Sequence, residues 1–282
     1  MLIGGIEAGG TKFVCAVGDE NGKILAKVSF PTKEPDVTLA KTKEFFDKHE
    51  IEALGVGAFG PIDLDKRSAT YGTILNTPKT NWRNYPLLDQ LKADFSVPVY
   101  IDTDVNVACL GEYTYGAGKN VDSCLYITIG TGIGAGLVQS GQVFQGKNHP
   151  EMGHILVQKH EDDPFEGSCP SHGACIEGLA SGTAIEKRYG KKGMKLANND
   201  KVWEIEAYYL AQACMNYYVI LQPEKIILGG GVMKQEKLYE MTREKFMKFL
   251  NGYLEVPNVR QLIVAPELND DQGVIGAMLL CQ

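Results

Sequence analysis

The sequence has no apolar run that approaches the roughly 18 residues of a membrane span. Its start, MLIGGIEAGG, has no charged leader followed by a long apolar stretch, so no signal peptide is predicted. Basic residues are also few, 28 against 35 acidic ones, which gives a net charge of −7. They form no basic stripe, and this argues against a nucleic-acid partner. We therefore predict a cytoplasmic protein with neither a membrane nor a nucleic-acid partner.

Most of the cysteines are scattered along the chain. Five of the seven stand alone, and thiols stay reduced in the cytoplasm, so we expect small core residues rather than disulfides. These five are Cys15, Cys109, Cys124, Cys214 and Cys281. The chain has 282 residues, 44% of them hydrophobic, which is enough for one large domain or two smaller ones.

Strand-like and helix-like segments alternate along the chain, which predicts an α/β fold. LIGGIEA and KFVCAVG are predicted strands joined at Gly9-Gly10, and the pattern begins again around Gly130, close to half the chain further on. This spacing predicts a duplicated fold with one glycine-rich turn per half, although two unrelated hairpins would leave the same pattern. We place the domains at residues 1–118 and 119–282. We leave open whether the final helix, about residues 271–282, packs back on the first domain.

Several further elements are predicted from local signals. DVTLAKTKEFFDKHE is a predicted helix with Asp36 as its N-cap, and residues 200–221 form a long apolar helix. VNVACLGEYTYGAG is a predicted helix that ends at glycine. RQLIVAP is predicted as a strand and QGVIGAMLL as the last helix.

Three glycine-rich stretches follow predicted strands, and each could bind phosphate through backbone N–H groups that approach it closely. Two are hairpin turns, Gly9-Gly10-Thr11-Lys12 and Gly130-Thr131-Gly132, which could hold a triphosphate from both sides of a cleft. The third, Gly229-Gly230-Gly231, ends a strand and opens a predicted helix at Val232, where the flat face of a nucleotide could pack on bare backbone. A simple tight turn would explain each stretch alone. Three in one chain favour nucleotide binding.

Established nucleotide-binding motifs do not match these stretches. Gly130-x-Gly132-x-x-Ala135 has the letters of the dinucleotide fingerprint, but a predicted strand follows it where that motif needs a helix. GGTK has the wrong order for a P-loop, which needs Gly-Lys-Ser/Thr. The protein-kinase signatures are absent as well.

Two aspartates lie between the strand VPVYI and the helix that follows it. Ligands of α/β proteins bind outside the carboxyl ends of strands, so Asp104 is well placed for catalysis. Phosphoryl transfer from ATP to an alcohol needs a carboxylate that accepts the hydroxyl proton. Asp102 or Asp104 could equally be the N-cap of the helix, and spacing alone leaves both roles open.

The segment CPSHGACIE, residues 169–177, combines two cysteines and a histidine. Cys169-x-x-His172-x-x-Cys175 is short enough to surround one ion, and an upstream histidine would complete a tetrahedral zinc site. Core thiols beside surface imidazoles are the alternative. A zinc ion with four protein ligands has no position for an activated water, so such a site would be structural.

The sequence resembles the ROK family of sugar kinases over its whole length. The motifs that carry this resemblance are GGIEAGGTK, GAFGPID, DTDVNVACLGEYTYGAG, TIGTGIGAGL, EMGH, CPSHGACIEG, LGGGV and DDQGVIGAMLL. The resemblance implies a duplicated actin-like, hexokinase-type (ribonuclease H-like) α/β fold, with two domains around a cleft.

The resemblance also implies roles for single residues. Asp104 would be the catalytic base, and the sugar would contact Asp104, Glu151, His154 and Glu177. Without the resemblance, the two glutamates would be interpreted as solvated charges. ATP, with Mg²⁺, would bind through its phosphates to the two hairpin turns and through its adenosine to the glycine run and the region around Gly182. The full set is Gly9, Gly10, Thr11, Lys12, Gly130, Thr131, Gly132, Gly182, Gly229, Gly230, Gly231, Val232 and Met233.

The fourth ligand of the zinc site is the one ligand that spacing does not settle. The resemblance favours His154, which would join Cys169, His172 and Cys175, whereas His160 lies closer in sequence. The roles of two other residues in the aspartate motif, Asn106 and Glu112, are left open.

Three features resemble the fructokinase branch of the family: Glu7 where most members have aspartate, a histidine in the middle of the zinc signature, and NTPKTNW. We therefore predict phosphorylation of fructose at its 6-hydroxyl, with a glucokinase, mannokinase or broad hexokinase as the alternative. Family members that are regulators carry an N-terminal DNA-binding module, and the first turn motif begins at residue 4, which leaves no room for one. The sequence leaves the oligomeric state open, a homodimer included.

Overall fold

The computed structural model describes all 282 residues, in which strands and helices alternate. The strands are β1 (Leu2–Ala8), β2 (Lys12–Asp19), β3 (Ile24–Pro31), β4 (Ala53–Ala58), β5 (Val99–Thr103), β6 (Ser123–Ile129), β7 (Ile133–Gln139), β8 (Gln142–Val143), β9 (Lys225–Gly229) and β10 (Ile263–Val264). The α-helices are α1 (Pro35–Phe46), α2 (Leu87–Asp94), α3 (Asp104–Tyr115), α4 (Ile176–Ala180), α5 (Gly182–Tyr189), α6 (Asp200–Leu221), α7 (Lys237–Leu250), α8 (Val259–Leu262) and α9 (Gln272–Leu279). None of them combines the length and the apolar character that crossing a membrane requires.

The first five strands form one sheet in the order β3-β2-β1-β4-β5. β1 and β2 pair antiparallel around the first glycine turn, and β1, β4 and β5 run parallel. β4, with the sequence ALGVGA, is buried along its whole length, as expected of a central parallel strand covered on both faces. The carboxyl ends of the parallel strands meet at one edge, where Ala8 pairs with Ala58 and Ala58 with Thr103.

The other five strands form a second sheet in the order β8-β7-β6-β9-β10. β6 and β7 pair antiparallel around the second glycine turn, and β6, β9 and β10 run parallel. In both sheets the first strand therefore lies in the centre, with the second and third strands on one side and the fourth and fifth on the other. This shared topology confirms the predicted duplication.

Each sheet has its own hydrophobic core, formed by the alternating apolar residues of its strands and by the helices that cover it. The core of the first sheet includes Ile6, Phe13, Leu54, Val56, Ile62, Trp82 and Leu87. The core of the second sheet includes Leu125, Ile127, Trp203, Tyr209, Leu210 and Phe246. The isolated cysteines Cys15, Cys109, Cys124 and Cys214 are buried and Cys281 is half-buried, and none forms a disulfide.

The chain divides into two compact units. One comprises residues 1–119, 141–150 and 268–282, and the other comprises residues 120–140 and 151–267. α9 lies in the first unit, where it packs against α3, β1 and β4. A Cβ atom at Gly276 would lie 1.6 Å from the carbonyl oxygen of Val107, so glycine allows α9 to approach α3 this closely. The last residues of the chain therefore complete the first unit.

The start of α1 differs from the prediction. Glu34 is at the N-cap position and Pro35 is the first helical residue, so Asp36 lies in the first turn and is not the cap. Proline at this position loses no helical hydrogen bond and its fixed φ suits the helix, which explains the earlier start. α6 has the predicted bounds.

The prediction of a strand over RQLIVAP is wrong for most of these residues. Only Ile263–Val264 is a strand, because Asn258 caps a short helix over the four preceding residues. After Gly231 the chain forms a single 3₁₀ turn, Val232–Lys234, and α7 begins only at Lys237.

Candidate active site and metal centre

Asp104 is the first residue of α3 and follows the carboxyl end of β5 directly. The N-cap of this helix is Thr103, whose Oγ1 accepts a hydrogen bond from the backbone N–H of Asn106 at 3.1 Å. The capping role that the sequence left open for the two aspartates thus belongs to the threonine between them. The half-buried Asp104 carboxylate lies at a helix N-terminus, where its negative charge is favoured.

Asp102, in contrast, is enclosed by protein donors. Its buried carboxylate accepts hydrogen bonds from Thr103 N at 2.7 Å, Asn106 Nδ2 at 2.7 Å and Gln145 Nε2 at 3.0 Å. Burial raises the pKa of Asp102, and these hydrogen bonds oppose the rise. Because its oxygens already serve three donors, Asp102 is poorly suited to accept a substrate proton. Asp104 is the better candidate for a base.

Glu112, whose role the sequence left open, connects α3 to the C-terminal part of the first unit. The side chain is completely buried. Its Oε2 accepts a hydrogen bond from Ala117 N at 2.8 Å, and its Oε1 accepts one from Leu268 N at 3.0 Å. Glu112 therefore holds the loop after α3 and the segment that leads to α9.

The first glycine turn is held by backbone bonds and by a threonine. The N–H of Gly9 donates to Lys12 O at 3.0 Å, and a Cβ atom at Gly9 would lie 2.7 Å from that oxygen. Thr32, which follows β3, donates from Oγ1 to Gly9 O at 2.6 Å and from N to Thr11 O at 3.0 Å. Thr11 and Lys12 are exposed. The turn therefore exposes a hydroxyl and an ammonium group.

The second glycine turn is bonded to the N-terminus of α5. Gly130 N donates to Gly132 O at 2.9 Å, and Gly182 N donates to Gly130 O at 2.7 Å. Thr183 Oγ1 donates to Thr131 O at 2.7 Å. The predicted phosphate turn and the region around Gly182 are thus one structure, in which a turn rich in glycine lies against a helix N-terminus. Such N-termini bind anions.

The glycine run after β9 adjoins this structure. Gly230 has a φ of +89°, and a Cβ atom there would lie 2.5–2.7 Å from backbone atoms of Ile129, so only glycine fits. Val232 Cγ2 lies 3.7 Å from the Cβ position of Gly182. Met233 is buried. All of the nucleotide-binding elements predicted in the second unit therefore lie together.

Sequence reasoning missed a set of residues beside the glycine run. A cavity of about 390 Å³ is lined by Ala197, Asn198, Lys234, Gln235, Glu236 and Lys237. The loop before α6 has no motif, and it is held here through Ala197 O, which accepts hydrogen bonds from Gln235 Nε2 at 2.8 Å and from Lys237 Nζ at 2.9 Å. The positions of Thr32 and Lys79 at the first turn were missed because both are distant from it in sequence, although Lys79 belongs to the stretch NTPKTNW. Lys79 Cε lies 3.9 Å from the Cβ position of Gly10.

The two glutamates predicted to bind sugar lie in different surroundings. Glu177, in the first turn of α4, is half-buried, and its Oε2 accepts a hydrogen bond from Ile133 N at 3.1 Å. That oxygen lies 2.5 Å from the Cβ position of Gly132, so the carboxylate covers the second glycine turn and is not a fully solvated charge. Glu151 is exposed, and its carbonyl oxygen accepts a hydrogen bond from His154 N at 3.0 Å.

Four potential metal ligands form one cluster: His154, Cys169, His172 and Cys175. Their ligand atoms all lie within 4.8 Å of one another. Nδ1 of His154 is 3.7 Å from Sγ of Cys169 and 3.5 Å from Sγ of Cys175, and Nδ1 of His172 is 3.7 Å from Sγ of Cys169. A tetrahedral zinc ion, with bonds of about 2.3 Å to sulfur and about 2.0 Å to nitrogen, would hold such atoms about 3.5 Å apart. The cluster fits a tetrahedral metal ion.

The cluster contains His154 and excludes His160. The Nδ1 of His160 accepts a hydrogen bond from Asp162 N at 3.1 Å, and its ring packs edge-on against Tyr208. The four potential metal ligands also border α4, because Cys175 is the N-cap of that helix. Burial raises the pKa of the Cys175 thiol to about 11, so a bound cation would be needed to keep it as a thiolate at neutral pH.

Comparison with known proteins identifies related sequences over the whole chain. The sequence profile of the ROK family matches residues 3–282. A Bacillus subtilis (strain 168) protein named "Putative fructokinase" is 52% identical over 283 residues, which cover 99% of this chain and 95% of that protein. A Pediococcus pentosaceus protein named "Fructokinase" is 46% identical, with 100% of this chain and 98% of that protein covered. Three bacterial proteins named "Glucokinase" are less similar, at 31–34% identity.

Among solved structures, the chain is similar to a ROK family glucokinase from Streptomyces griseus in complex with glucose and AMPPNP. The TM-score is 0.82 at 28% sequence identity, and 99% of each chain is covered. This similarity, together with the two sheets of equal topology, confirms the predicted hexokinase-type fold.

Proposed function

Because the chain belongs to the ROK family, we propose that it is an ATP-dependent sugar kinase that phosphorylates fructose at its 6-hydroxyl. The observation that carries the proposal is the position of Asp104 at the carboxyl end of a parallel strand. Its carboxylate is not needed as the N-cap of α3, because the neighbouring Thr103 is the N-cap. Fructose is supported by the higher identity to relatives named fructokinases than to relatives named glucokinases.

In the proposed reaction Asp104 accepts the proton of the 6-hydroxyl while the hydroxyl oxygen attacks the γ-phosphorus of ATP. The new oxygen–phosphorus bond forms as the bond from the γ-phosphorus to the bridging oxygen breaks, and ADP leaves with that electron pair. The N-terminus of α3 favours the negative charge that the base must carry before it accepts the proton. The product is fructose 6-phosphate.

We place the ATP phosphates at the two glycine turns. In the second unit, the N–H groups of Gly130, Gly182 and Ala184 already donate within the protein, so the phosphate oxygens would bind the remaining N–H groups of the turn and of the α5 N-terminus, those of Thr131, Gly132 and Thr183. In the first unit, Thr11 and Lys12 offer a hydroxyl and a positive charge. The adenosine would bind at the glycine run and the neighbouring cavity. Mg²⁺ bound with ATP would supply positive charge that neutralises the charge developing on the phosphate oxygens.

The sugar would be held by groups that accept hydrogen bonds from its hydroxyls. The carboxylates of Glu151 and Glu177 are such acceptors. His154 can serve both the metal and the sugar, because only its Nδ1 faces the thiols and an imidazole has a second ring nitrogen. A metal-ligating histidine commonly uses that second nitrogen for a hydrogen bond.

Zinc is the metal that we assign to the cluster of two histidines and two cysteines. With four protein ligands the ion would be structural. It would fix Cys175, the N-cap of α4, and with it the helix that carries Glu177. In this way the metal would shape the sugar site without taking part in phosphoryl transfer.

The proposed function is tested by a coupled assay for ADP release with fructose, glucose, mannose and N-acetylmannosamine at saturating ATP. We expect the highest kcat/KM for fructose, and phosphorus NMR should locate the phosphate on the 6-hydroxyl. A glucose kcat/KM about tenfold above that of fructose would instead assign a glucokinase. ADP release with none of the sugars would refute the kinase proposal and favour a sugar-sensing regulator.

A further inference from the structure

Asp102 is a buried acid that the proposed chemistry does not use. The side chain is only 4% exposed and lies near the end of β5, two residues before Asp104. A buried carboxylate is costly unless several donors compensate it. The donors around Asp102 come from two different parts of the first unit, and this arrangement indicates what the carboxylate does.

One oxygen of Asp102 holds the first turn of α3. Its Oδ1 accepts from Asn106 Nδ2 and from Thr103 N, both at 2.7 Å. The backbone N–H of the same asparagine donates to Thr103 Oγ1 at 3.1 Å. Asn106 thus fixes the helical turn that begins with Asp104 through two hydrogen bonds. Its side-chain amide donates to Asp102, and its backbone N–H donates to Thr103.

The other oxygen of Asp102 accepts from Gln145 Nε2 at 3.0 Å. Gln145 belongs to a segment of residues 141–150 that is attached to the first unit elsewhere as well. Asn148 Oδ1 accepts from Leu64 N at 2.6 Å, and His149 Nε2 lies 2.9 Å from Ile62 O. Gln145 is therefore a donor on an anchored segment and not a mobile surface side chain.

We propose that Asp102 is a positioning residue, which aims the carboxylate of Asp104 by joining the first turn of α3 to the anchored segment around Gln145. The inference rests on the proposed function, in which Asp104 is the base. Proton transfer requires the base within hydrogen-bond reach of the hydroxyl, and a displacement of about 1 Å can cost roughly 100-fold in rate. A carboxylate suits this position because it accepts at both oxygens, whereas an amide of the same shape accepts at only one.

The primary test is Asp102→Asn. We expect kcat with fructose to fall about 10- to 100-fold, while the KM for ATP changes by less than about twofold, since a misdirected base affects the chemical step and not nucleotide binding. A kcat within about twofold of wild type in a folded protein would overturn the proposal.

A rescue variant distinguishes positioning from a general loss of stability. Asp102→Asn combined with Gln145→Glu reverses the donor and the acceptor, so that the new amide donates to the new carboxylate. We expect this double variant to recover about tenfold in kcat over Asp102→Asn alone, whereas Gln145→Glu alone brings two carboxylates together and stays impaired. If the kcat of the double variant is no higher than that of Asp102→Asn alone, the positioning role is refuted.

Two further variants cover the remaining outcomes. If Asp102→Asn does not fold, Gln145→Met removes only one hydrogen bond and should lower kcat about three- to tenfold at unchanged KM for ATP; an unchanged kcat would count against the inference. Asp104→Asn separates this inference from the function on which it rests. An active Asp104→Asn enzyme would refute the base itself, whereas an inactive one beside a normal Asp102→Asn enzyme would refute only the positioning.

Discussion

The two glycine turns connect the first two strands of their sheets in the same way, yet they are built differently. The turn at Gly9–Lys12 is braced by the side chain of Thr32 and ends in an exposed lysine. The turn at Gly130–Gly132 has no charged residue and is bonded to the N-terminus of α5 at Gly182. One turn offers a full positive charge, and the other offers the partial charges of aligned N–H groups. The duplication repeats the topology but not the chemical groups that the turns expose.

The halves also differ where the fifth strand of each sheet ends. β5 is followed by Asp104 at the start of a helix, whereas β10 is followed by Ala265 and Pro266, which cannot accept a proton. The four potential metal ligands, in turn, all lie in the second unit. The repeated framework therefore accommodates different chemistry in its two copies.

The largest effect is expected from Asp104→Asn, which removes the acid that only the first half has. Its kcat should fall by about 10²–10⁴-fold, because the amide keeps the shape but cannot accept a proton. The KM for ATP should barely change. Steady-state kinetics with Asp89→Asn, an exposed acid on α2, as the control would check this. A variant within about threefold of wild type would remove Asp104 from its role.

Removal of the metal tests the feature that only the second half has. Cys175→Ser or chelation should raise the KM for fructose about tenfold and lower the Tm by about 5 °C or more, because a four-ligand zinc site contributes folding energy. Elemental analysis should find about one zinc per chain. Cys281→Ser, at a half-buried free cysteine, is the control. Metal-free protein with normal fructose affinity would show that the metal does not shape the sugar site.

The difference between charge and backbone dipoles predicts different responses to salt. Lys12→Met should raise the KM for ATP about fivefold at low ionic strength, and less at about 0.3 M salt, where screening is strong. Gly182→Ala should raise this KM at both salt concentrations, because its Cβ atom would lie 2.8 Å from Gly130 O and displace the turn. Equal salt dependence of the two variants would contradict the distinction.

Two completely buried glutamates extend the comparison to stability. Both carboxylate oxygens of Glu112, in the first unit, accept hydrogen bonds from backbone N–H groups. Neither carboxylate oxygen of Glu206, on α6, has a hydrogen-bond donor. Burial raises the pKa of Glu206 well above its ordinary value of 4.5. The folded protein therefore holds this proton longer than the unfolded chain, and stability is lost as the pH rises from about 4.5 through the folded pKa.

Glu206→Gln should accordingly raise the Tm at pH 7.5 by about 2–4 °C and flatten its decline above about pH 4.5. Glu112→Gln should lower the Tm, because its amide group would face a backbone donor. Thermal unfolding of the wild type and of the two variants from pH 4 to pH 8 measures how the Tm of each protein changes with pH. An unchanged slope for Glu206→Gln would mean that another group causes the decline.

The smallest effects concern the two threonines that brace the turns. Thr32→Val removes the bond to Gly9 O, and Thr183→Val removes the bond to Thr131 O. Each change should cost about 1 kcal/mol, which corresponds to about fivefold or less in the KM for ATP. A larger effect at one turn would show which turn contributes more to the proposed binding of ATP.

Local patterns predicted the duplication and the glycine turns, because strands and tight turns depend on neighbouring residues. The start of α3 was less certain, because three polar residues, Asp102, Thr103 and Asp104, are all acceptable caps and only the folded strand selects one. The hydrogen bonds from Thr32 to Gly9 and from Gln145 to Asp102 could not be predicted, because these residues are distant in sequence and only the tertiary fold brings them together. The spacing of Cys169, His172 and Cys175 predicted three potential metal ligands and the resemblance favoured His154 as the fourth, but only the folded chain separates His154 from His160.

The position of α9 has a consequence for protein synthesis. Because this helix packs against β1, β4 and α3, the first unit cannot be complete until α9 has left the ribosome. The second unit ends at residue 267, before α9 begins. Domains usually fold in the order in which they are made. Here we expect the reverse: the second unit folds first, and the sheet around β1 stays partly uncovered until α9 has been synthesised.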